Sequence, residues 1–187
     1  MGLRDDKRLA AMRRVQEVAL ELFEARGFDD VSVEEVAVSA GLGAASVYRH
    51  FGTKERLVLW DEYDPMLFEA IAERLAATPP FEAMVDAVCD ALGTFYARDK
   101  TRVLRRTNLA WKTPALRAQA LSDLNALREG LVDVLARALP DRLERELHAS
   151  VFVAMLDRCI DAWRRDRART PLVTLIRKAA RVVAKLG

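Results

Sequence analysis

Signals that begin and end helices recur along the whole chain, and they constrain the fold more than any other feature. Before Arg26, apolar residues recur at positions i, i+3, i+4, i+7 and i+8, the spacing of a helix with one buried face. These residues are Val15, Val18, Ala19, Leu22 and Phe23. Gly27 follows, and a glycine there suits the left-handed end of a helix, with Phe28 packing back as its apolar partner. The pattern predicts a first helix from about residue 6 to residue 26.

Two short helices are predicted next. Ser32 and Glu35 have the spacing of a capping box, in which each side chain satisfies a backbone N–H group of the other residue. A second helix should therefore run from Val33 to about residue 40. A tight turn at residues 41–43 precedes a third helix over residues 44–51, whose Val47 and Phe51 share one face.

Proline marks helix starts in the rest of the chain. Four times a capping residue directly precedes a proline, which fits the first turn of a helix. The pairs are Asp64-Pro65, Thr78-Pro79, Thr113-Pro114 and Thr170-Pro171. They predict helices over about 54–77 with a break near Pro65, 79–97, 100–111, 114–138, 142–167 and 171–186. With only 8 glycines and 6 prolines, the chain lacks turn residues for a many-stranded sheet. An all-α fold is expected, with a three-helix helix-turn-helix domain over 1–53 and a larger helical domain over 54–187.

Several function classes lack the residues they require. No apolar run approaches the ~20 residues that cross a bilayer, and residues 1–14 lack the apolar stretch of a signal peptide, so a cytoplasmic protein without membrane contact is expected. Cys89 and Cys159 are far apart and show no CxxC spacing, so neither a metal site nor a cofactor is predicted. The two histidines, His50 and His148, lie about a hundred residues apart, and no HExxH or GxSxG motif is present. The chain is not expected to be an enzyme.

The three N-terminal helices form the pattern that places one helix in the major groove of DNA. If Val47 and Phe51 of the third helix, the reading helix, pack inward, its other residues face phosphates and base edges. The candidate DNA contacts on this helix are Ala45, Ser46, Tyr48, Arg49 and His50. Lys54 is placed to meet a phosphate, and a basic N-terminal arm of Arg4, Lys7 and Arg8 is placed to enter the minor groove.

Net charge does not favour nucleic acid. Residues 1–57 hold nine Lys and Arg against ten Asp and Glu. The residues alone therefore leave two interpretations open: a DNA-binding domain, or a helical protein-interaction module without sequence-specific DNA binding. A steep linear fall of log K with log salt distinguishes them, because DNA binding releases counterions from phosphates.

A family resemblance favours DNA. Residues 31–42 (VSVEEVAVSAGL) and 46–57 (SVYRHFGTKERL) resemble the N-terminal domain of TetR-family regulators, and the similarity covers about residues 12–59. It implies that Tyr48, His50 and Lys54 occupy the family's phosphate- and base-contacting positions. The chain departs from the family pattern at Gly43, where a capping serine is common, and at Ala44, where Lys or Arg is frequent. Fewer polar base contacts are therefore expected.

The resemblance also implies a homodimer that binds double-stranded operator DNA, with the last two long helices forming the interface. Apolar residues at helical spacing in both helices agree with this, although one such face also suits the core of a single chain. The candidate interface residues are Leu143, Leu147, Val151, Leu172, Leu175, Ile176, Ala179, Val182 and Val183.

The resemblance further implies that residues 54–187 are a ligand-binding and dimerisation domain, in which the C-terminal helices enclose a chamber for a small-molecule effector. Aromatic, flexible and polar residues of the interior helices are candidates to line it, although an ordinary core explains most of them equally well. They are Met84, Val88, Phe95, Tyr96, Asn108, Trp111, Met155, Cys159 and Trp163. Asn108 stands out because a buried amide needs hydrogen-bond partners.

A second resemblance concerns the effector. Residues 54–64 (KERLVLWDEYD) and 113–117 (TPALR), which follow Trp111, look like the TetR branch that includes mycofactocin-system regulators and is linked with acyl-CoA-type ligands. This implies a repressor that leaves its operator when it binds a fatty acyl, acyl-CoA-like or other largely apolar effector with an anionic end.

Overall fold

The computed structural model describes residues 3–60 and 64–185, with side chains for residues 7–60, 67–93 and 99–185. All regular secondary structure in these ranges is α-helix, which confirms the predicted class. The helices are α1 (Leu3–Arg26), α2 (Val33–Ser39), α3 (Ala44–Phe51), α4 (Lys54–Leu59), α5 (Asp64–Arg74), α6 (Pro80–Lys112), α7 (Pro114–Leu135), α8 (Arg142–Arg165) and α9 (Leu172–Val183).

Helix α1 ends as its sequence predicts. Gly27 has a φ of +95°, in the left-handed region where a side chain is strained. The ring of Phe28 packs against that of Phe23 with 5.0 Å between centroids. The chain therefore leaves α1 at a fixed angle and leads directly to α2.

The capping box of α2 is present in full. The Ser32 hydroxyl accepts a hydrogen bond from the Glu35 backbone N–H at 3.2 Å, and Glu35 Oε2 accepts one from the Ser32 backbone N–H at 2.8 Å. Glu35 also accepts a bond from Arg26 Nη1 at 2.9 Å. A seven-residue helix has little intrinsic stability, so these bonds and its buried residues Val33 and Val36 hold it in place.

The chain divides into two units. The first contains α1 to α4 together with residues 105–120, and the second contains α5, residues 80–104, residues 121–135, α8 and α9. This grouping differs from the predicted boundary at residue 53. The physical reason is burial: Leu57 and Val58 of α4, and Leu116 of α7, lie in the same hydrophobic core as α1.

The second unit has its own core, built from all five of its helical segments. Its largest fully buried side chains include Ile71, Met84, Phe152 and Ile176. At Gly130 of α7 the packing is close: a Cβ there would lie 2.5 Å from Cζ of Phe68 on α5, so a side chain would require the Phe68 ring to move.

The longest helix, α6, is interrupted once. Asp99 has φ −112° and ψ 17°, outside helical geometry, and it falls in the predicted gap between residues 97 and 100. Helix α7 begins at Pro114 as predicted, whereas α6 and α9 begin one residue after Pro79 and Pro171. None of the helices in the described ranges has the length and apolar character needed to span a membrane.

The capping box predicts a pH dependence of stability. The hydrogen bond from the Ser32 backbone N–H, followed by the bond from Arg26, lowers the pKa of Glu35 from 4.5 to about 2. A carboxyl whose pKa falls on folding stabilises the protein above its unfolded pKa and loses that contribution as pH falls through the folded pKa. The difference in free energy of unfolding between wild type and Glu35→Gln should therefore be constant above about pH 4.5 and shrink as the pH falls towards 2. Urea denaturation at a series of pH values measures it.

The matched control is Glu69→Gln, at an exposed position on α5. Its stability difference from wild type should not follow this profile. A wild-type advantage over Glu35→Gln that stays constant down to pH 2 would contradict the assigned cap.

Candidate DNA-binding site

Helix α3 separates buried from exposed residues along its two faces. Val47 and Phe51 are buried in the first unit's core. The candidate contacts Ala45, Tyr48, Arg49 and His50 are exposed, and Ser46 is half-buried. The helix thus presents hydroxyl groups, an aromatic ring, a guanidinium and an imidazole on its solvent face, which are groups that bind phosphates and base edges.

Three of these side chains already take part in hydrogen bonds. The Tyr48 hydroxyl donates a hydrogen bond to Glu34 Oε1 on α2 at 3.3 Å. Partial loss of solvent and the negative charge of Glu34 raise the pKa of Tyr48, so the hydroxyl stays protonated and able to donate. Arg49 Nη2 donates to the Ser46 hydroxyl at 3.3 Å. These contacts restrain the side chains before any ligand arrives.

Lys54 lies at the start of α4, where its ammonium faces two aromatic rings. Its Nζ is 4.4 Å from the ring centroid of Phe28 and 5.7 Å from that of Phe23. The preceding Thr53 caps the helix, with its hydroxyl accepting a bond from the Arg56 backbone N–H. The lysine is therefore half-buried and held beside the link between α1 and α2.

The expected N-terminal arm takes a different form. Helix α1 begins at Leu3, because no glycine or proline interrupts the chain between that residue and Arg26. Lys7 and Arg8 are exposed on the first turns of α1 and do not form an extended arm. The side chain of Arg4 lies outside the described part of the chain.

A buried amide attaches α4 to α1. Gln16 is 1% exposed, and its Nε2 donates to the backbone oxygens of Val58 at 3.1 Å and Trp60 at 2.9 Å. Arg106 Nη1 donates to the same Trp60 oxygen at 2.8 Å. The Trp60 ring in turn meets the ring of Phe51 on α3 edge-on, with 5.8 Å between centroids.

Sequence reasoning missed Gln16, although one signal was available. Gln16 lies at position i of a series that continues with Ala19, Leu20 and Phe23 at i+3, i+4 and i+7. A polar side chain in an apolar register must find partners when it is buried. The carbonyl groups at the end of a short neighbouring helix are such partners.

Arg105 adds a charged contact within the same unit. Its guanidinium donates to the carboxylates of Glu17 and Glu24 on α1, and the Nη2 to Glu24 Oε2 distance is 2.8 Å. These two partners, Glu24 foremost, raise the pKa of Arg105 and keep it charged. Residues 105–120 are thus fixed to α1 by ion pairs as well as by the core.

The candidate chamber residues fall into two groups. Met84, Val88, Met155, Cys159 and Trp163 are buried in the core of the second unit. Asn108 and Trp111 are half-buried and belong to the first unit, where Arg117 stacks on Trp111 at 4.3 Å. Their expected place among the interior residues of the C-terminal domain is therefore corrected. The side chains of Phe95 and Tyr96 lie outside the described part of the chain.

The candidate interface residues also divide. Leu143, Leu147, Val151 and Val182 are exposed, whereas Leu175, Ala179 and Val183 are half-buried against the second unit's core. Leu172 and Ile176 are buried within the chain's own core, where α9 packs against α8. Those two residues are therefore core residues, which corrects the expectation that they face a partner.

Comparison with known families agrees with this geometry. Residues 16–59 match "Bacterial regulatory proteins, tetR family", the segment that contains α2, α3 and α4. Residues 78–186, more than half of the chain, match "MftR C-terminal domain".

Individual proteins are similar over most of the chain. The mycofactocin biosynthesis transcriptional regulator MftR of Mycobacterium tuberculosis is 25% identical over 167 residues, 87% of this chain and 84% of its own length. The HTH-type transcriptional regulator TcmR of Streptomyces glaucescens is 28% identical over 142 residues, 72% of this chain and 63% of its own length.

Among solved structures, Thermus thermophilus FadR, a TetR-family transcriptional repressor in complex with lauroyl-CoA, shares the fold. Its TM-score is 0.59 at 20% identity, over 92% of this chain and 93% of that one. The predicted family and its mycofactocin-regulator branch are both confirmed. The chain belongs to the TetR family of transcriptional regulators, and its C-terminal part is an MftR-type domain.

Proposed function

We propose that this regulator is a homodimeric repressor that binds operator DNA. It dissociates from the operator when it binds a small, largely apolar effector of the fatty acyl or acyl-CoA class. The observation that carries the DNA-binding part is the solvent face of α3. Tyr48, Arg49 and His50 project from it while Val47 and Phe51 fix the helix to its unit.

In this proposal the exposed residues of α3 enter the major groove. Ala45, Ser46 and Arg49 meet base edges, because the first turns of a reading helix lie deepest in the groove. Tyr48, His50 and Lys54 bind phosphates, and Lys7 and Arg8 of α1 add positive charge near the backbone. Arg4 stays a candidate for the same role.

Dimerisation is supported by an apolar line on α8 that the chain itself leaves uncovered. Leu143, Leu147 and Val151 follow one another at intervals of four residues, and Leu147 is 56% exposed. Val182 adds an exposed aliphatic side chain on α9. A contiguous apolar face of this kind is typical of an interface between subunits, and a twofold dimer suits two operator half-sites.

The dimer can be tested with Leu147→Glu. A carboxylate placed in an apolar interface loses its water without gaining a partner, so dimerisation should weaken by at least about a hundredfold. Sedimentation equilibrium measures this, and circular dichroism checks that the helices remain. The matched control is Leu121→Glu, because Leu121 is 60% exposed on α7, and it should leave the dimer intact. Equal dimerisation of wild type and Leu147→Glu would exclude this interface.

The effector class is supported by the buried side chains of the second unit and by the relatives. Met84, Val88, Met155 and Trp163 form an apolar interior in which flexible methionines adapt readily to a long alkyl chain. FadR of Thermus thermophilus, which shares the fold, is in complex with lauroyl-CoA. In this proposal a ligand reaches Met84, Met155 and Cys159, and its differential affinity for the DNA-free form supplies ~1–3 kcal/mol of coupling.

DNA binding can be tested with two substitutions on the proposed contact face. Tyr48→Ala should weaken operator binding about tenfold, because the contacts that the hydroxyl group and the aromatic ring make with DNA are lost. Lys54→Met should weaken binding to all sequences and reduce the slope of log K against log salt by about 1, because one phosphate contact is lost. Fluorescence anisotropy at several salt concentrations measures both quantities.

The matched control for charge is Lys100→Met, an exposed lysine in the second unit, which should leave the salt slope unchanged. Unaltered affinity in both test variants would exclude the assigned contacts. Absence of any steep salt dependence in wild type would instead favour the protein-interaction module.

The effector can be tested by adding lauroyl-CoA to the protein–operator complex, with coenzyme A and laurate as separate controls. Lauroyl-CoA should lower the affinity for the operator about tenfold, within the usual range of coupling between two sites. Native mass spectrometry of the purified protein checks for a bound acyl species. If no acyl thioester of any chain length alters DNA binding, the acyl-CoA class is excluded while the repressor assignment stands.

A further inference from the structure

The first unit carries one highly exposed aliphatic side chain. Val38, in the last turn of α2, is 79% exposed, the highest value among the large apolar residues whose side chains the structure describes. Its neighbours Val36 and Ala37 are buried. Covering an exposed aliphatic group with an apolar partner lowers the free energy of the system.

Helical spacing places Val38 beside the reading face. Val38 follows Glu34 by four residues, so the two share one face of α2. On α3, Ala44 and Ala45 precede Tyr48 by four and three residues, which places them on the face that carries Tyr48. Since the Tyr48 hydroxyl reaches Glu34 at 3.3 Å, these two faces meet on one flank of the unit.

The turn between α2 and α3 brings the apolar members together. Only residues 40–43 separate the helices, and the Leu42 backbone N–H donates to Ala37 O at 2.9 Å. The end of α2 therefore lies next to the start of α3. We call Val38, Ala44 and Ala45 the apolar tip: Val38 and Ala45 are exposed, and Ala44 is half-buried against the first unit's core.

The apolar tip offers methyl groups and no side-chain hydrogen-bonding group. Gly43, the N-cap of α3, contributes no side-chain bond either. In the major groove, the C5-methyl group of thymine is the one feature of an unmodified base pair that such a surface recognises.

We infer that the apolar tip is a specificity determinant that reads the C5-methyl group of thymine, with Val38 as its main contact. This inference rests on the proposed operator binding. It assigns a base-reading role to a residue of α2, outside the reading helix, and it makes thymine at one or two positions of each half-site a requirement for tight binding.

The test begins by selecting an operator from a random duplex library with the purified protein. Each thymine of the selected operator is then replaced singly by deoxyuridine, which removes the methyl group and keeps every hydrogen-bonding group. At one or two positions per half-site the Kd should rise about fourfold, the value for one buried methyl group. Fluorescence anisotropy at fixed salt measures each Kd.

The same series on Val38→Ala assigns the contact. This variant should bind the deoxyuridine operators about as well as wild type does, and the thymine preference at those positions should fall close to one, the pattern of a double-mutant cycle. Ala45→Gly should reduce the preference less. The control Leu121→Ala, at an exposed aliphatic position on α7, should keep the full preference.

Each outcome decides the inference. Uniform Kd values across the deoxyuridine series, a preference that survives in Val38→Ala, or a selected half-site without thymine would each overturn it while operator binding stands. Selection that enriches no sequence would contradict the proposed function itself. Unchanged binding of the thymine operator by Val38→Ala would also overturn it, because Val38 would then contribute nothing to affinity.

Discussion

The carbonyl groups at the end of α4 need donors inside the protein, and that requirement organises the first unit. A six-residue helix satisfies few of its own carbonyls, and water does not reach those that are buried. Gln16 supplies both hydrogens of its amide, and Arg106 adds a third donor at Trp60. Because the Trp60 ring rests on Phe51, the same bonds that close α4 also support α3. A short reading helix is therefore held rigidly by polar contacts behind it.

Local signals predicted much of this region correctly. Gly27 and the Ser32–Glu35 capping box act over a few residues, so a sequence pattern identifies them directly. The contacts that fix α4 and residues 105–120 join positions far apart in the chain, 42 residues for Gln16 to Val58 and 88 for Arg105 to Glu17. No local pattern specifies such partners. The same limit explains why the predicted boundary at residue 53 differs from the observed grouping, because α6 and α7 each contribute residues to both units.

Apolar spacing on α8 and α9 shows a related limit. The spacing identifies an apolar face and leaves open what covers it. Leu143 and Leu172 have equivalent signals in the sequence, yet the first is exposed and the second is buried in the chain's own core. Burial within one chain separates them, and only the exposed group is available to a partner. In the same way, Met84 and Trp111 both suit an interior helix, but they belong to different units.

The position of Lys54 has a consequence for the thermodynamics of recognition. A free lysine loses much rotational freedom when it meets a phosphate, and this entropy loss weakens the contact. In this chain the ammonium group already lies against the rings of Phe28 and Phe23, so with Lys54 at a phosphate, as proposed, part of that entropy is lost during folding. The rings of Phe23 and Phe28 thereby shift part of the entropy loss of Lys54 from the step of DNA binding to the step of folding.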